Sequence, residues 1–211
     1  MSHQALLISV SLLFASSLAF ADDWSYGVKT GLNLANVTVH PSDPAVSYNA
    51  RSCYGVGLTA NRKINDVWDF RTDVLYLQKG TEASYHLSFF GYDFNGTDKV
   101  KLEYLAVTPM FACKFASWDE AKSSGIATSA FFEFGPEMAI IMSAKNDAGD
   151  YLYGMKNYDF DLNVGAGMMM PVGKGFLIPE ARYSYGLTNI NREGTGTVKT
   201  NGIQFIVGCL F

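Results

Sequence analysis

From Trp24 onward the chain alternates apolar and polar side chains with a period of two, which places successive residues on opposite faces of a strand. In the first run Trp24, Tyr26, Val28, Thr30, Leu32 and Leu34 share a face, with Ser25, Gly27, Lys29, Gly31, Asn33 and Ala35 opposite. The second, Cys53 to Lys63, sets Tyr54, Val56, Leu58 and Ala60 against Gly55, Gly57, Thr59 and Asn61. After a short turn, Trp68, Phe70, Val74 and Tyr76 oppose Asp69, Arg71 and Asp73. The fourth run aligns Leu105, Val107, Phe111 and Phe115, and the fifth aligns Phe132, Phe134, Met138, Ile140 and Met142 with Glu133 and Glu137 behind them. In the sixth, Tyr158 to Val172, Phe160, Leu162, Val164, Ala166, Met168 and Met170 oppose Asp159, Asp161 and Asn163. A tight Gly173-Lys174-Gly175 turn leads to the seventh, where Leu177, Ala181, Tyr183 and Tyr185 oppose Glu180, Arg182 and Ser184. The eighth carries Ile203, Phe205, Val207 and Cys209 to the final Phe211. The pattern predicts an all-β chain of eight antiparallel strands.

Which solvent faces the apolar side decides the architecture. A soluble periplasmic lipocalin-like carrier also alternates, but it would have to bury Asp69, Arg71, Asp73, Glu133, Glu137, Asp159, Asp161, Glu180 and Arg182 in its core. Inverting the barrel turns the apolar face to lipid and the charges to the lumen, and closure satisfies every backbone group. An eight-stranded transmembrane β-barrel of the outer-membrane type follows. Short links after the second and sixth runs, against longer ones after the first, third, fifth and seventh, match periplasmic turns and extracellular loops. The link 116–127 is longer than that scheme expects.

Ala5 to Ala21 is an apolar run ending in small residues Ala19 and Ala21, followed by Asp22 and Asp23, as at a processed secretory leader. We expect a signal peptide over 1–21 and a barrel over 22–211. Beyond it the sequence has no apolar stretch of roughly 18 uncharged residues that could form a membrane helix. Of 211 residues, 48% are hydrophobic and 17% charged, with 16 basic and 20 acidic side chains. A net charge of −4 argues against nucleic acid as a partner. Three widely spaced cysteines, Cys53, Cys113 and Cys209, form neither a disulfide framework nor a zinc pattern.

Candidate chemistry concentrates in the lumen. Lys29, Arg71, Lys114 and Arg182 stand among Asp69, Asp73, Glu133, Glu137, Asp159, Asp161 and Glu180. These eleven groups fit either an interior filled by ion pairs, with Arg71 and Arg182 as bridges, or a narrow cation-preferring passage. Trp24, Tyr26, Trp68, Phe70, Phe115, Trp118 and Phe132 form a predicted aromatic girdle at the periplasmic boundary, with Tyr54, Tyr76 and Tyr185 a sparser outer one. Catalytic residues, a metal site and a cofactor are not expected, because His40 and His86 lie far apart in segments read as extracellular loops, without a partnered nucleophile. The segment Gly80 to Asp98, rich in Tyr85, Phe89, Phe90, Tyr92 and Phe94, reads either as a contact site or as a hairpin extending the third and fourth strands.

GVKTGLNLANV (27–37), YLAVTP (104–109), EFGPEMAIIMSAK (133–145), DFDLNVGAG (159–167) and ARYSYGLTNI (181–190) together resemble the small outer-membrane β-barrel domain family, often labelled porin family proteins. The resemblance implies an eight-stranded barrel in the outer membrane of a Gram-negative bacterium, in a family mostly without assigned activity. Relative to the family pattern Thr108 is inserted before Pro109, and a bulge there is the expected accommodation. Ile203, Phe205, Val207, Cys209 and Phe211 resemble the carboxy-terminal signal read by the outer-membrane assembly machinery. The expected role is structural or surface-binding, with a low-conductance porin as the alternative. Expected partners are outer-membrane lipid, the assembly machinery and an extracellular ligand held by the loops.

Overall fold

The computed structural model describes residues 24–43, 45–89, 92–115, 128–152, 154–192 and 196–211, with only the backbone for 87–89 and 92–94. The leader 1–21 and the girdle residue Trp118 lie outside the described residues. Eight strands run β1 (Trp24–His40), β2 (Val46–Lys63), β3 (Trp68–Phe89), β4 (Tyr92–Lys114), β5 (Ser129–Asn146), β6 (Tyr158–Val172), β7 (Gly175–Gly186) and β8 (Thr197–Leu210). Each pairs antiparallel with its neighbours in sequence, and β1 returns to β8 to close the ring. Closure leaves no edge within the ring itself, so the backbone needs no water at membrane depth.

Side-chain parity follows the sequence pattern. Val28, Leu32, Tyr54, Val56, Leu58, Phe134, Met138, Phe160, Leu162, Phe205 and Val207 are all exposed on the outer wall, whereas the charged partners on the same strands are buried inside. A soluble carrier would expose the opposite set, so this distribution removes the lipocalin-like alternative. Trp24, Phe211, the adjoining ends of β4 and β5, and the links 64–67 and 173–174 lie at one end, with Gly173 at φ +61° making the last of them. That is the periplasmic end by the usual asymmetry of such barrels.

One sequence expectation is resolved and another needs correction. The long link expected after the third strand is the hairpin, the other reading of 80–98: β3 and β4 stay in unbroken register from Trp68↔Cys113 to Phe89↔Tyr92. Aromatic residues in 80–98 favour extended backbone, so pairing persists beyond the point where alternation fades. The bulge expected at Pro109 is absent. Leu105, Val107, Pro109 and Phe111 keep one outward parity against β3, and the β4–β5 register is the same on either side of Pro109. The irregularity lies instead at Glu103/Tyr104. Gly135 on β5 lies close beside Pro109, where a Cβ would stand 2.1 Å from the Pro109 carbonyl oxygen.

Because β5 meets β4 only from Val100 inward, and β1 meets β2 only up to Ala35↔Arg51, the outer parts of three strands continue without the rest of the ring. Residues 46–50 of β2, 81–89 of β3 and 92–99 of β4 form a three-stranded blade above the extracellular mouth.

Candidate functional site

Inward-facing residues of six strands meet in the barrel interior, where the charges sort into three groups. The largest is balanced. The Lys29 ammonium donates to Asp73 at 2.9 Å and to Glu180 at 2.8 Å. Arg71 donates from Nη1 to Glu133 at 3.0 Å and to Glu180 at 3.1 Å. Arg182 reaches Glu133 through Nε at 2.7 Å, and Asp73 and Glu180 through Nη2 at 2.6 Å each. Three cations therefore share three carboxylates, all without solvent exposure beyond 1% at the side chain. Arg71 also lies 4.4 Å over the Phe131 ring, a contact that favours a guanidinium over an ammonium.

Nearer the extracellular side stands a group the sequence reading missed. Lys79, buried, pairs with Glu137 at 2.9 Å and with Asp161, and sits 5.0 Å over the Tyr104 ring. Ser184 donates to Asp161 at 2.8 Å, and Asn163 donates from Nδ2 to Glu137 at 3.0 Å. Asp159 accepts from the Thr200 hydroxyl at 2.8 Å and the Tyr104 hydroxyl at 3.4 Å, but pairs with no cation among the described residues. Lys79 keeps the parity of Asp69, Arg71 and Asp73 on β3, which is the signal that could have found it; the intervening Leu75 and Leu77 hid it. At the periplasmic end Lys114 pairs with Asp69 at 2.7 Å. Among the described residues five lumen cations thus face seven carboxylates, and the excess of two lies in the Lys79 group, one cation among Glu137, Asp159 and Asp161.

The lumen is not polar throughout, as the sequence pattern had implied. Below the balanced group Ala112, Phe131, Met169, Ile178 and Leu210 pack into an apolar cluster. Above the Lys79 group Leu77, Leu102, Tyr104, Ala106, Ala139, Ala144 and Ile190 form another, with Leu152 and Met155 against it. Ile190 comes from the segment after β7; its N–H donates to Val198 O at 2.9 Å and its carbonyl accepts from Lys156 N at 2.8 Å. Two connections thus fold into the extracellular mouth and close it with apolar side chains.

On the outer wall the periplasmic aromatics are continuous. Trp24 stacks on Tyr26 with centroids 6.4 Å apart and meets Phe70 edge-on at 6.4 Å; Phe70 meets Phe111 at 5.6 Å, and Trp68 meets Phe134 at 6.4 Å. Phe115 and Phe132 are exposed at the same end. Phe111 and Phe134 join this belt although the sequence reading placed them only in the apolar wall. Tyr54 and Tyr76 pair at 6.2 Å nearer the other boundary. Ile203, Phe205, Val207 and Cys209 all face outward on β8, and the Phe211 N–H donates to Tyr26 O at 2.9 Å.

His40 pairs across to Thr197, while His86 pairs with Asn95 on the blade, so the fold does not bring the two histidines together. Among the described residues no group of three or more His, Cys, Asp or Glu is arranged to hold a metal ion. The cysteines are free, with Cys53 buried and Cys209 exposed.

An apolar wall around a closed ring, with a polar ion-paired interior, defines a barrel whose solvent is the outer membrane. The chain belongs to the outer membrane protein beta-barrel domain family, which it matches over residues 14–192, and it is an outer-membrane protein. Among solved structures, OprG of Pseudomonas aeruginosa is similar at 11% identity and a TM-score of 0.50, covering 90% of this chain and 96% of that one. Neisserial surface protein A is similar at 14% identity and a TM-score of 0.48, over 88% and 95%. Ail of Yersinia pestis, solved with the heparin analogue sucrose octasulfate, is similar at 14% identity and a TM-score of 0.44, over 90% and 99%. At such identities the likeness concerns the fold alone. No curated protein matches the chain.

Proposed function

We propose that this protein, exported after removal of residues 1–21, is a non-conducting outer-membrane barrel that holds its three-stranded blade outside the cell as a binding surface. The observation that carries this reading is the filled axis: one apolar cluster lies on either side of the two larger charged groups, and Ile190 is wholly buried in the mouth. An eight-stranded barrel is just wide enough for its own side chains, and a lumen packed in this way has no continuous path for an ion. The interior then serves to fix the barrel's shape, and contact with the surroundings falls to the blade.

Ion conductance of the detergent-folded protein in a planar lipid bilayer tests this, once boiling is shown to shift its gel mobility. Silence from the folded barrel is the expected result. Stable unitary steps would overturn it, and if Asp159→Asn reduced them, the unpaired carboxylate excess would mark a cation passage. In a cysteine-free background, a Ser84→Cys variant on intact cells should react with a membrane-impermeant maleimide. Failure to react would refute the placement of the blade outside.

A further inference from the structure

The aromatic belt is interrupted at one position by a cation. Register aligns Trp24 of β1, Arg62 of β2, Phe70 of β3, Phe111 of β4 and Phe134 of β5 in a single row around the wall. Four of the five are aromatic, and β2 contributes an arginine. Its guanidinium lies 5.8 Å over the Trp24 ring and pairs with no carboxylate among the described residues. Trp24, Arg62, Lys63, Ile64, Phe70 and Phe111 line a cleft of about 490 Å³ at this rim. Lys63 is held 2.8 Å from Asp66, so those two charges offset each other, and among the described residues Arg62 supplies the cleft's net positive charge.

The next row toward the membrane centre borders the cleft and carries smaller side chains on two strands. It runs Tyr26, Ala60, Thr72 and Pro109, so two small residues stand directly beyond Arg62 and Phe70. Beyond them the wall thickens again with Val28, Leu58, Val74 and Val107. A cation at the water boundary, aromatic rings beside it and a shallow apolar notch leading into the bilayer match the parts of a phospholipid in order: phosphate, glycerol and acyl chain.

We propose that this cleft is a binding site for one anionic phospholipid of the periplasmic leaflet, its phosphate on Arg62 and an acyl chain over Ala60 and Thr72. Arginine suits the task because its planar fork donates to two phosphate oxygens at once and stays charged while resting on an indole face. The single uncompensated cation selects a headgroup of net negative charge over a zwitterionic one.

Trp24 itself reports occupancy. In a Trp68→Phe, Trp118→Phe background, the folded protein is placed in phosphatidylcholine vesicles containing a minor share of brominated phosphatidylglycerol, and its fluorescence is compared with that in unbrominated vesicles. Quenching should correspond to about fivefold enrichment of the brominated lipid over its bulk share, the weight of one basic residue at an anionic surface. Arg62→Gln should return quenching to the bulk value. Ala60→Phe, which keeps the cation and fills the notch, should do the same. Heat-shifted gel mobility shows that each variant is folded. Bulk-level quenching of the unsubstituted site, equal enrichment of brominated phosphatidylcholine, or an unchanged signal in Arg62→Gln would each overturn the proposal. So would abolition of the enrichment by inorganic phosphate, which would assign the site to a free anion.

Discussion

Replacing Arg182 by methionine removes one cation from the balanced group and leaves Asp73, Glu133 and Glu180 to share Lys29 and Arg71. Each carboxylate keeps at least one partner: Asp73 has Lys29 at 2.9 Å, Glu133 has Arg71 at 3.0 Å, and Glu180 has both. Breaking a buried pair from one side costs about 3–5 kcal/mol, and the surviving contacts put this case at the lower end, about 3 kcal/mol. No discount for solvent applies, since side-chain exposure throughout the group is at most 1%. Adding Glu133→Gln restores equal numbers, two cations against two carboxylates, so the double variant should recover roughly 2 kcal/mol of the summed single losses. Equilibrium urea unfolding in detergent micelles, followed by tryptophan fluorescence and gel mobility, measures all four corners of the cycle. A loss below about 0.5 kcal/mol for Arg182→Met, or a cycle additive within that margin, would refute the charge-balance argument.

Other outcomes follow from single contacts. Gly135→Ala brings a methyl group to 2.1 Å from the Pro109 carbonyl oxygen, between backbones that cannot separate without opening the ring; it should cost about 1–3 kcal/mol in the same unfolding assay. The Asp66 carboxyl, in the water-exposed periplasmic turn, is held below its ordinary pKa by the hydrogen bond from Lys63 and then by that ammonium's charge. Lys63→Gln should raise it back toward the usual carboxylate range, read by NMR titration of the folded protein. Phe211→Ser should slow insertion in cells without altering the unfolding midpoint of the purified barrel. A lowered midpoint would mark the terminal ring as a packing element instead of a recognition element.

How much of this was legible beforehand differed by feature. Strand number, face and closure followed from alternation, because a residue on the wall meets either lipid or lumen and the two demand opposite chemistry. Strand ends were less clear: above the membrane both faces meet water, so the alternation of 80–98 carries no such sign, and the hairpin extension stood beside a contact-loop reading. Among the lumen residues, those flanked by outward apolar neighbours were visible. Lys79 was not, since Leu75 and Leu77 share its face and only the preserved parity connects it to Arg71. Pairing partners were out of reach altogether. Nothing local says that Arg182 of β7 meets Asp73 of β3, because that contact exists only once the sheet has curled through the full ring. Arg62 was passed over for a related reason: alone it is a charged strand end, and its meaning comes from the aromatic residues that register brings to either side.

The seam between β1 and β8 sets the order in which the molecule can be made. Gly27 pairs with Leu210 and His40 with Thr197, so the first strand to emerge during synthesis takes its second neighbour from the last. Every hairpin from β1–β2 to β7–β8 can form locally, but the ring shuts only after the final residues arrive, and loop closure over nearly the whole chain is slow. Until then two strands lack a side, and the lipid-facing apolar residues have no lipid. A chain of this design must therefore cross an aqueous compartment unclosed and be kept from pairing with other copies along the way.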